Sequence, residues 1–205
     1  DLPGHTLHVC DFSAIEARVI AWIAGESWVL DTFRSGGDIY CSTASKMFGV
    51  PVEKHGQNAS LRPKGKVAVL ALGYGGGVAA LEAMGAGRMG LTEYEEKQLV
   101  RLWRESNPHI VQLWTVVEKA ALTAIKTGKP VTIHRGIVVD YQWGVLLITL
   151  PSGRTICYPR ATIGTETDDG WRGDHVSIEY EGLNQTTKKW EKIRTYGGKL
   201  TENIV

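Results

Sequence analysis

The sequence predicts an α+β fold in which a sheet built from both ends of the chain carries a long, mostly helical insertion. Three observations predict it. A short apolar, β-prone run, Leu7-His8-Val9-Cys10, lies near the start. Apolar residues then recur at helical spacing as far as about Lys126. From Pro130 onward, β-prone runs alternate with turn residues.

Leu7 to Cys10 reads as a strand with Asp11 at its end, and Ile15, Val19, Ile20 and Ile23 continue as a helix with Trp22 beside them. Ser60 is a possible cap and Pro63 suits the first turn of a second helix, which Gly73 and Gly75 to Gly77 end. Val78 to Met84 is a helical run. Thr92 caps a charged helix through Arg104, and Pro108 starts another to about Lys126. Strands are expected at Val131 to Ile133, Gly136 to Tyr141, Val145 to Leu150, Arg154 to Tyr158 and His175 to Leu183. Pro151-Ser152-Gly153 and Asp168-Asp169-Gly170 supply turns, and the polar, Gly-rich stretch 164–174 reads as a mobile loop.

A chain of 205 residues with 43% hydrophobic residues, seven of its residues Trp, can bury a real core in one or two units. A formal charge of +1 is weak for a nucleic-acid binder, but the cations are uneven. Lys54, Arg62, Lys64 and Lys66 form one cluster; Lys188, Lys189, Lys192, Arg194 and Lys199 form another, either a template-phosphate surface or a solvated face. Cys10, Cys41 and Cys157 are scattered and suit a reducing cytoplasm. No signal peptide and no apolar run near eighteen residues occurs, so a cytoplasmic location without a membrane partner is expected.

Two stretches carry chemistry. Arg62, Lys66, Leu70 and Tyr74 are four apart; each step turns about 400° and rises about 6 Å, so they drift by about 40° along one helical stripe. That stripe reads cation, cation, apolar, aromatic. The cations lie near the helix N-terminus, where the dipole adds to their attraction for phosphate. A ligand about 10 Å long, with phosphates at one end and a flat base at the other, fits the stripe, with Tyr74 stacking on the base. The alternative is an ordinary amphipathic helix with solvated charges. In the other stretch, Asp11 can either cap the following helix, as Ser13 can, or bind Mg²⁺, a hard ion that takes oxygen ligands. Gly85-Ala-Gly-Arg-Met-Gly90 spells a dinucleotide fingerprint but follows a helical run where a strand is needed. The glycines after Tyr74 lack the Gly-Lys-Ser/Thr of a phosphate loop, and His109, His134 and His175 are isolated.

Asp11-Phe-Ser-Ala-Ile-Glu-Ala-Arg18 and Arg62 to Gly75 are similar to motifs A and B of family A DNA polymerases, the bacterial DNA polymerase I group, and the chain looks closest to the phage-encoded type. Gly37-Asp38-Ile39-Tyr40 and Tyr196 to Val205 extend the resemblance to nearly the whole chain. It implies a palm sheet with an inserted fingers subdomain: 1–27 palm, 28–130 helical fingers with the motif B helix at 62–75, and 131–205 a β-rich return to the palm. Asp11 would hold a catalytic Mg²⁺ pair together with a second aspartate, with the Phe12 backbone carbonyl a further ligand. Ser13 and Tyr40 would line the nucleotide site. Glu16 would be the gate that excludes a ribose 2′-OH, hydrogen-bonded to Tyr74 in the open state. Arg62 and Lys66 would grip the β- and γ-phosphates, Lys66 also neutralising the departing pyrophosphate, and Leu70 would face the sugar and base. Tyr74 and Gly75 would meet the templating base, with Arg18, Lys188 and Lys189 on template DNA.

Ala14 stands where many bacterial members have Gln, Leu70 where many have Phe or Tyr, and Tyr40 where many have His. The family's motif C, His-Asp-Glu, carries the second aspartate and does not occur in these 205 residues. The resemblance therefore implies the palm-and-fingers part of a larger or split polymerase. Such a part would transfer deoxynucleotides from dNTP to a primer 3′-OH when the missing C-terminal part is supplied in cis or as a second chain, and be inactive alone. The thumb and any proofreading exonuclease would lie upstream. The alternative is an inactive fragment that keeps only nucleotide or template affinity.

Overall fold

The computed structural model describes residues 3–168 and 174–205. Helices α1 (Ile15–Ala24), α2 (Ser27–Arg34), α3 (Ile39–Phe48), α4 (Arg62–Leu72), α5 (Val78–Ala83), α6 (Glu93–Ser106) and α7 (Pro108–Thr127) come first. Strands β1 (Val131–Thr132), β2 (Val138–Gln142), β3 (Val145–Thr149), β4 (Thr155–Tyr158), β5 (Thr162–Asp168), β6 (Asp174–Leu183) and β7 (Trp190–Thr195) follow, and α8 (Gly197–Ile204) comes last. The strands form two antiparallel sheets, β1-β2-β3-β4 and β5-β6-β7. The mixed composition agrees with the α+β expectation. No helix among the described residues is long and apolar enough to cross a membrane.

Local signals in the helical region act as their chemistry dictates. Thr92 and Glu95 form a reciprocal capping box at the start of α6. Pro108 occupies the first turn of α7, where the buried Glu26 carboxylate accepts the His109 amide at 3.0 Å. Leu113, Val117, Ala121 and Ala124 of α7 are buried, joining Val139, Leu146 and Ile148 of the first sheet, and Ile137 just before β2, in one core. Each large aliphatic side chain so buried contributes about 1.5–3 kcal/mol. The Trp103 and Trp114 rings stack at 6.2 Å, bringing α6 against α7.

Four expectations are corrected. Leu7 to Cys10 is not a strand: Leu7 and Val9 are 78% and 88% exposed, and both sheets consist of strands from residues 131–195, so the sheet is not built from both ends. A β-prone run forms a strand only where another offers hydrogen bonds, and none among the described residues pairs with it. At α1, neither Asp11 nor Ser13 caps; Ala14 begins the helix in the left-handed region, φ 49°, and Arg18 Nε donates to the Ser13 carbonyl at 2.9 Å. Ser60 does not cap α4 either, because residues 59–61 form a 3-10 turn running into it. The expected loop 164–174 falls partly on β5 and the start of β6, while 169–173, including Asp169-Gly170 of the predicted turn, lie outside the described residues. The cationic stretch 190–195 is also a strand, in which Lys192 and Arg194 alternate with Ile193 and Thr195 and pair with Glu179 at 3.2 Å each.

The dinucleotide-like glycines follow α5, and residues 87–89 form a 3-10 turn, so that fingerprint lacks its strand. More consequential is Gly65, buried where α4 lies on α3. A Cβ there would stand 2.3 Å from the Tyr40 carbonyl oxygen and 3.0 Å from Ala44 Cβ. Gly65→Ala therefore forces the two helices apart. The clash costs about 1–3 kcal/mol, which exceeds the gain of about 1 kcal/mol from helix propensity in most of that range. Denaturant unfolding should show a net loss of stability, and a stabilised variant would contradict this packing.

Candidate functional site

Three elements meet at one cleft. The segment before α1 brings Asp11 and Phe12, and its first turn brings Glu16; α3 brings Tyr40 at its start; α4 and the turn after it bring Leu70 and Tyr74. These six line a cavity of about 240 Å³. The two stretches singled out in the sequence, some fifty residues apart, thus share one wall. A second cavity of about 670 Å³ lies against the same Glu16, Leu70 and Tyr74 and is bounded farther on by Tyr196, Lys199 and Glu202.

Tyr74 is held by its backbone. The Trp114 indole N–H donates to the Gly73 carbonyl at 2.9 Å, and the Tyr196 hydroxyl donates to the Tyr74 carbonyl at 3.4 Å. Gly75 has φ 81°, a left-handed conformation suited to glycine, and a Cβ there would lie 3.2 Å from the Tyr196 ring. The Tyr74 phenol is half-buried beside Glu16. Burial first, then the negative charges of Glu16 and Glu202, push its pKa well above that of an ordinary tyrosine. No hydrogen bond joins the Glu16 carboxylate to the Tyr74 hydroxyl in this arrangement, although both face the cleft.

The cations stand apart from this wall. Arg62 and Lys66 do not line the 240 Å³ cavity; from Leu70 they lie two turns and one turn, respectively, toward the N-terminus of α4. Lys66 is exposed and has no ion pair among the described residues. Arg62 is engaged: its Nε and Nη2 donate to Asp38 Oδ2 at 2.9 and 2.7 Å, and its guanidinium lies 5.3 Å from the centre of the Tyr40 ring. Asp38 Oδ1 meanwhile accepts the amides of Tyr40 and Cys41 at 2.9 and 3.1 Å, capping α3. Burial raises the Asp38 pKa, but the Arg62 contact and those amides outweigh it and hold the carboxyl below its ordinary value.

The remaining expected residues lie in varied settings. Ser13 supplies only its carbonyl, to Arg18, and the Arg18 guanidinium stacks on Phe33 at 3.9 Å. Lys188 and Lys189 are exposed in the turn between β6 and β7 and line neither cavity. Asp11 makes no hydrogen bond or ion pair among the described residues, and with the Phe12 carbonyl it offers hard oxygen donors of the kind Mg²⁺ takes. Among the described residues, no group of three or more His, Cys, Asp or Glu side chains gathers to hold a metal.

The residue that sequence reasoning passed over is Asp38. Its signal was present, an Asp directly before the helical run from Ile39, which is the pattern of an N-cap. Its bond to Arg62, 24 residues away, has no such pattern.

Residues 2–134 match the family model for DNA polymerase family A. The chain is 49% identical over 202 residues to the DNA polymerase of Bacillus phage SP02, covering 98% of this chain and 30% of that protein. It is 42% identical over 73 residues to DNA polymerase I of Rhizobium leguminosarum, covering 36% of this chain and 7% of that one. It is also 46% identical over 50 residues to the thermostable DNA polymerase I of Thermus aquaticus, covering 24% of this chain and 6% of that one. The chain thus spans about a third or less of the length of these relatives.

The raised Tyr74 pKa has a stability consequence. A phenol whose folded pKa exceeds its unfolded value of about 10 adds stability below that pH and loses it as pH rises toward the folded pKa. Conformational stability should therefore fall with pH above about 10, and Tyr74→Phe should flatten that fall. Denaturant midpoints measured from pH 8 to 11 check this, and equal slopes in the two proteins would contradict it.

Proposed function

This chain belongs to DNA polymerase family A, and from that premise we propose that it forms the nucleotide-binding face and part of the metal site of a template-directed DNA polymerase. In this reading residues 1–27 are palm, 28–130 are helical fingers and 131–205 return to the palm. Its substrates are a dNTP and a primer-template DNA. The observation that carries the proposal is the single cleft lined by Asp11, Glu16, Tyr40, Leu70 and Tyr74, because it unites a carboxylate suited to a hard cation with an aromatic at the end of a cationic helix.

Asp11 and the Phe12 carbonyl hold Mg²⁺ in this reading. Mg²⁺ bound there, as one of two ions in the complete enzyme, would supply the charge that activates the primer 3′-OH and stabilises the leaving oxygen. Lys66, exposed and unpaired among the described residues, meets the triphosphate and neutralises the departing pyrophosphate. Arg62 grips the phosphates from the first turn of α4, where the helix dipole reinforces both cations. Leu70, 41% exposed, offers the sugar and base an apolar contact. Glu16 crowds the sugar's 2′ position against Tyr74, whose neutral ring stacks at the end of the site. Ser13 contributes backbone to the turn that sets Asp11. Gly75, Arg18, Lys188 and Lys189 face template DNA, and the second metal-binding carboxylate belongs to polymerase sequence outside these 205 residues, in cis or on another chain.

Nucleotide titration tests the phosphate half. Lys66→Ala should weaken dNTP binding by about 1.5–3 kcal/mol, the worth of one charge-assisted contact, and an unchanged affinity in calorimetry would remove the cationic stripe from the site. The gate is tested in the complete polymerase. There Glu16→Ala should raise ribonucleotide incorporation relative to deoxynucleotide in primer extension, or lower activity; a variant unchanged in both would end that assignment.

A further inference from the structure

We propose that Asp38 is a positioning residue for the triphosphate, acting through Arg62. The inference rests on the nucleotide-site reading given above and assigns a role to a residue outside both motifs.

The geometry is specific. One carboxylate oxygen is committed to the start of α3, accepting the Tyr40 and Cys41 amides, so the carboxyl group cannot swing. The other takes Nε and Nη2 of Arg62 side-on. A guanidinium has five N–H donors in a rigid fork, and a side-on carboxylate occupies one edge of it. The guanidinium also lies beside the Cys41 side chain, and the donors not turned to Asp38 are the ones that would meet a second anion. Both partners are only about a quarter exposed, 25% for the Arg62 side chain and 28% for Asp38, so the pair is a fixed part of the α3–α4 junction. The Tyr40 ring at 5.3 Å lies beside the guanidinium, and Gly65 lets the two helices approach closely enough for the contact to form.

A carboxylate beside a phosphate-binding cation has two opposing effects. Its charge repels the phosphate, and its hydrogen bonds remove the rotamer freedom of a long side chain before the ligand arrives. The phosphate would sit at the far end of the guanidinium, separated from Asp38 by the arginine's own charge. That separation weakens the repulsion through solvent, while the ordering of Arg62 is retained in full. Positioning therefore prevails. Lys66, one turn on and without an ion pair among the described residues, supplies charge without this preorganisation.

Calorimetric titration of the full chain with dATP and Mg²⁺ tests the inference. Asp38→Asn keeps an oxygen for the α3 cap and removes the charge that pairs with Arg62. It should weaken dATP binding by about tenfold, the loss of roughly one charge-assisted contact, while leaving dAMP affinity unchanged. Arg62→Lys, which keeps the charge but not the fork, should lose a similar amount, and combining the two should cost no more than either alone. Unchanged or tighter dATP binding in Asp38→Asn, equal losses for dATP and dAMP, or additive losses in the double variant would each overturn the role. Lys66→Ala separates the two levels. If it weakens dATP binding while Asp38→Asn does not, the site stands and the positioning role fails; if it has no effect either, the nucleotide site itself is wrong and the role falls with it.

Discussion

The cleft exists because backbone meets backbone at glycine. Gly65 lets α4 rest on the Tyr40 carbonyl of α3, and a Cβ at Gly198 of α8 would stand 2.2 Å from the Tyr74 carbonyl. Between these two contacts α4 is held at both ends, by α3 near its start and by α8 just beyond its finish. Larger residues at either point would enforce separations of ångströms, and Tyr74 and Arg62 would lose their places together. The Trp114 bond to the Gly73 carbonyl adds a third tether from α7, the longest helix among the described residues.

With α4 so held, charge is distributed sparingly along it. A net charge of +1 leaves no general attraction for a polyanion, so any phosphate recognition must come from local geometry. Several cations are already occupied: Arg62 by Asp38, Arg18 by the Ser13 carbonyl and Phe33, and Lys192 and Arg194 by Glu179. Lys66 remains exposed beside the occupied Arg62. One ordered cation and one free cation on the same stripe is a different site from two interchangeable lysines, because the fork of Arg62 is directed before any ligand binds.

Burial near Tyr74 works in the same direction. Burial, and after it the charges of Glu16 and Glu202, keep the phenol protonated even at a pH where an ordinary tyrosine ionises, so it retains a proton to donate and adds no charge to the cleft. Two cavities meet here, with Ile15, Glu16, Leu70 and Tyr74 lining both.

Much of this was legible in order along the chain. Thr92 with Glu95, and Pro108 after Asn107, announced α6 and α7; Pro63 announced the start of α4; the β-prone runs after Pro130 announced most strands; and the four-residue spacing put Arg62, Lys66 and Leu70 on one stripe of α4, which ends at Leu72 and leaves Tyr74 in the turn beyond it. Each depends on neighbours within about one or two turns, which is the range of capping and periodicity. The same local rules misjudged Leu7 to Cys10, whose β-prone residues have no partner strand among the described residues, and stretches 162–168 and 190–195, whose polar side chains concealed strands that β6 pairs on both sides. They were silent on the bond between Asp38 and Arg62. The sequence by itself determined most helical segments, though not α8, which fell in a stretch read as β-rich, and which residues can carry charge or stack; tertiary structure alone decided which strands find partners and which cation is already bound, because those bonds join residues that only packing brings together.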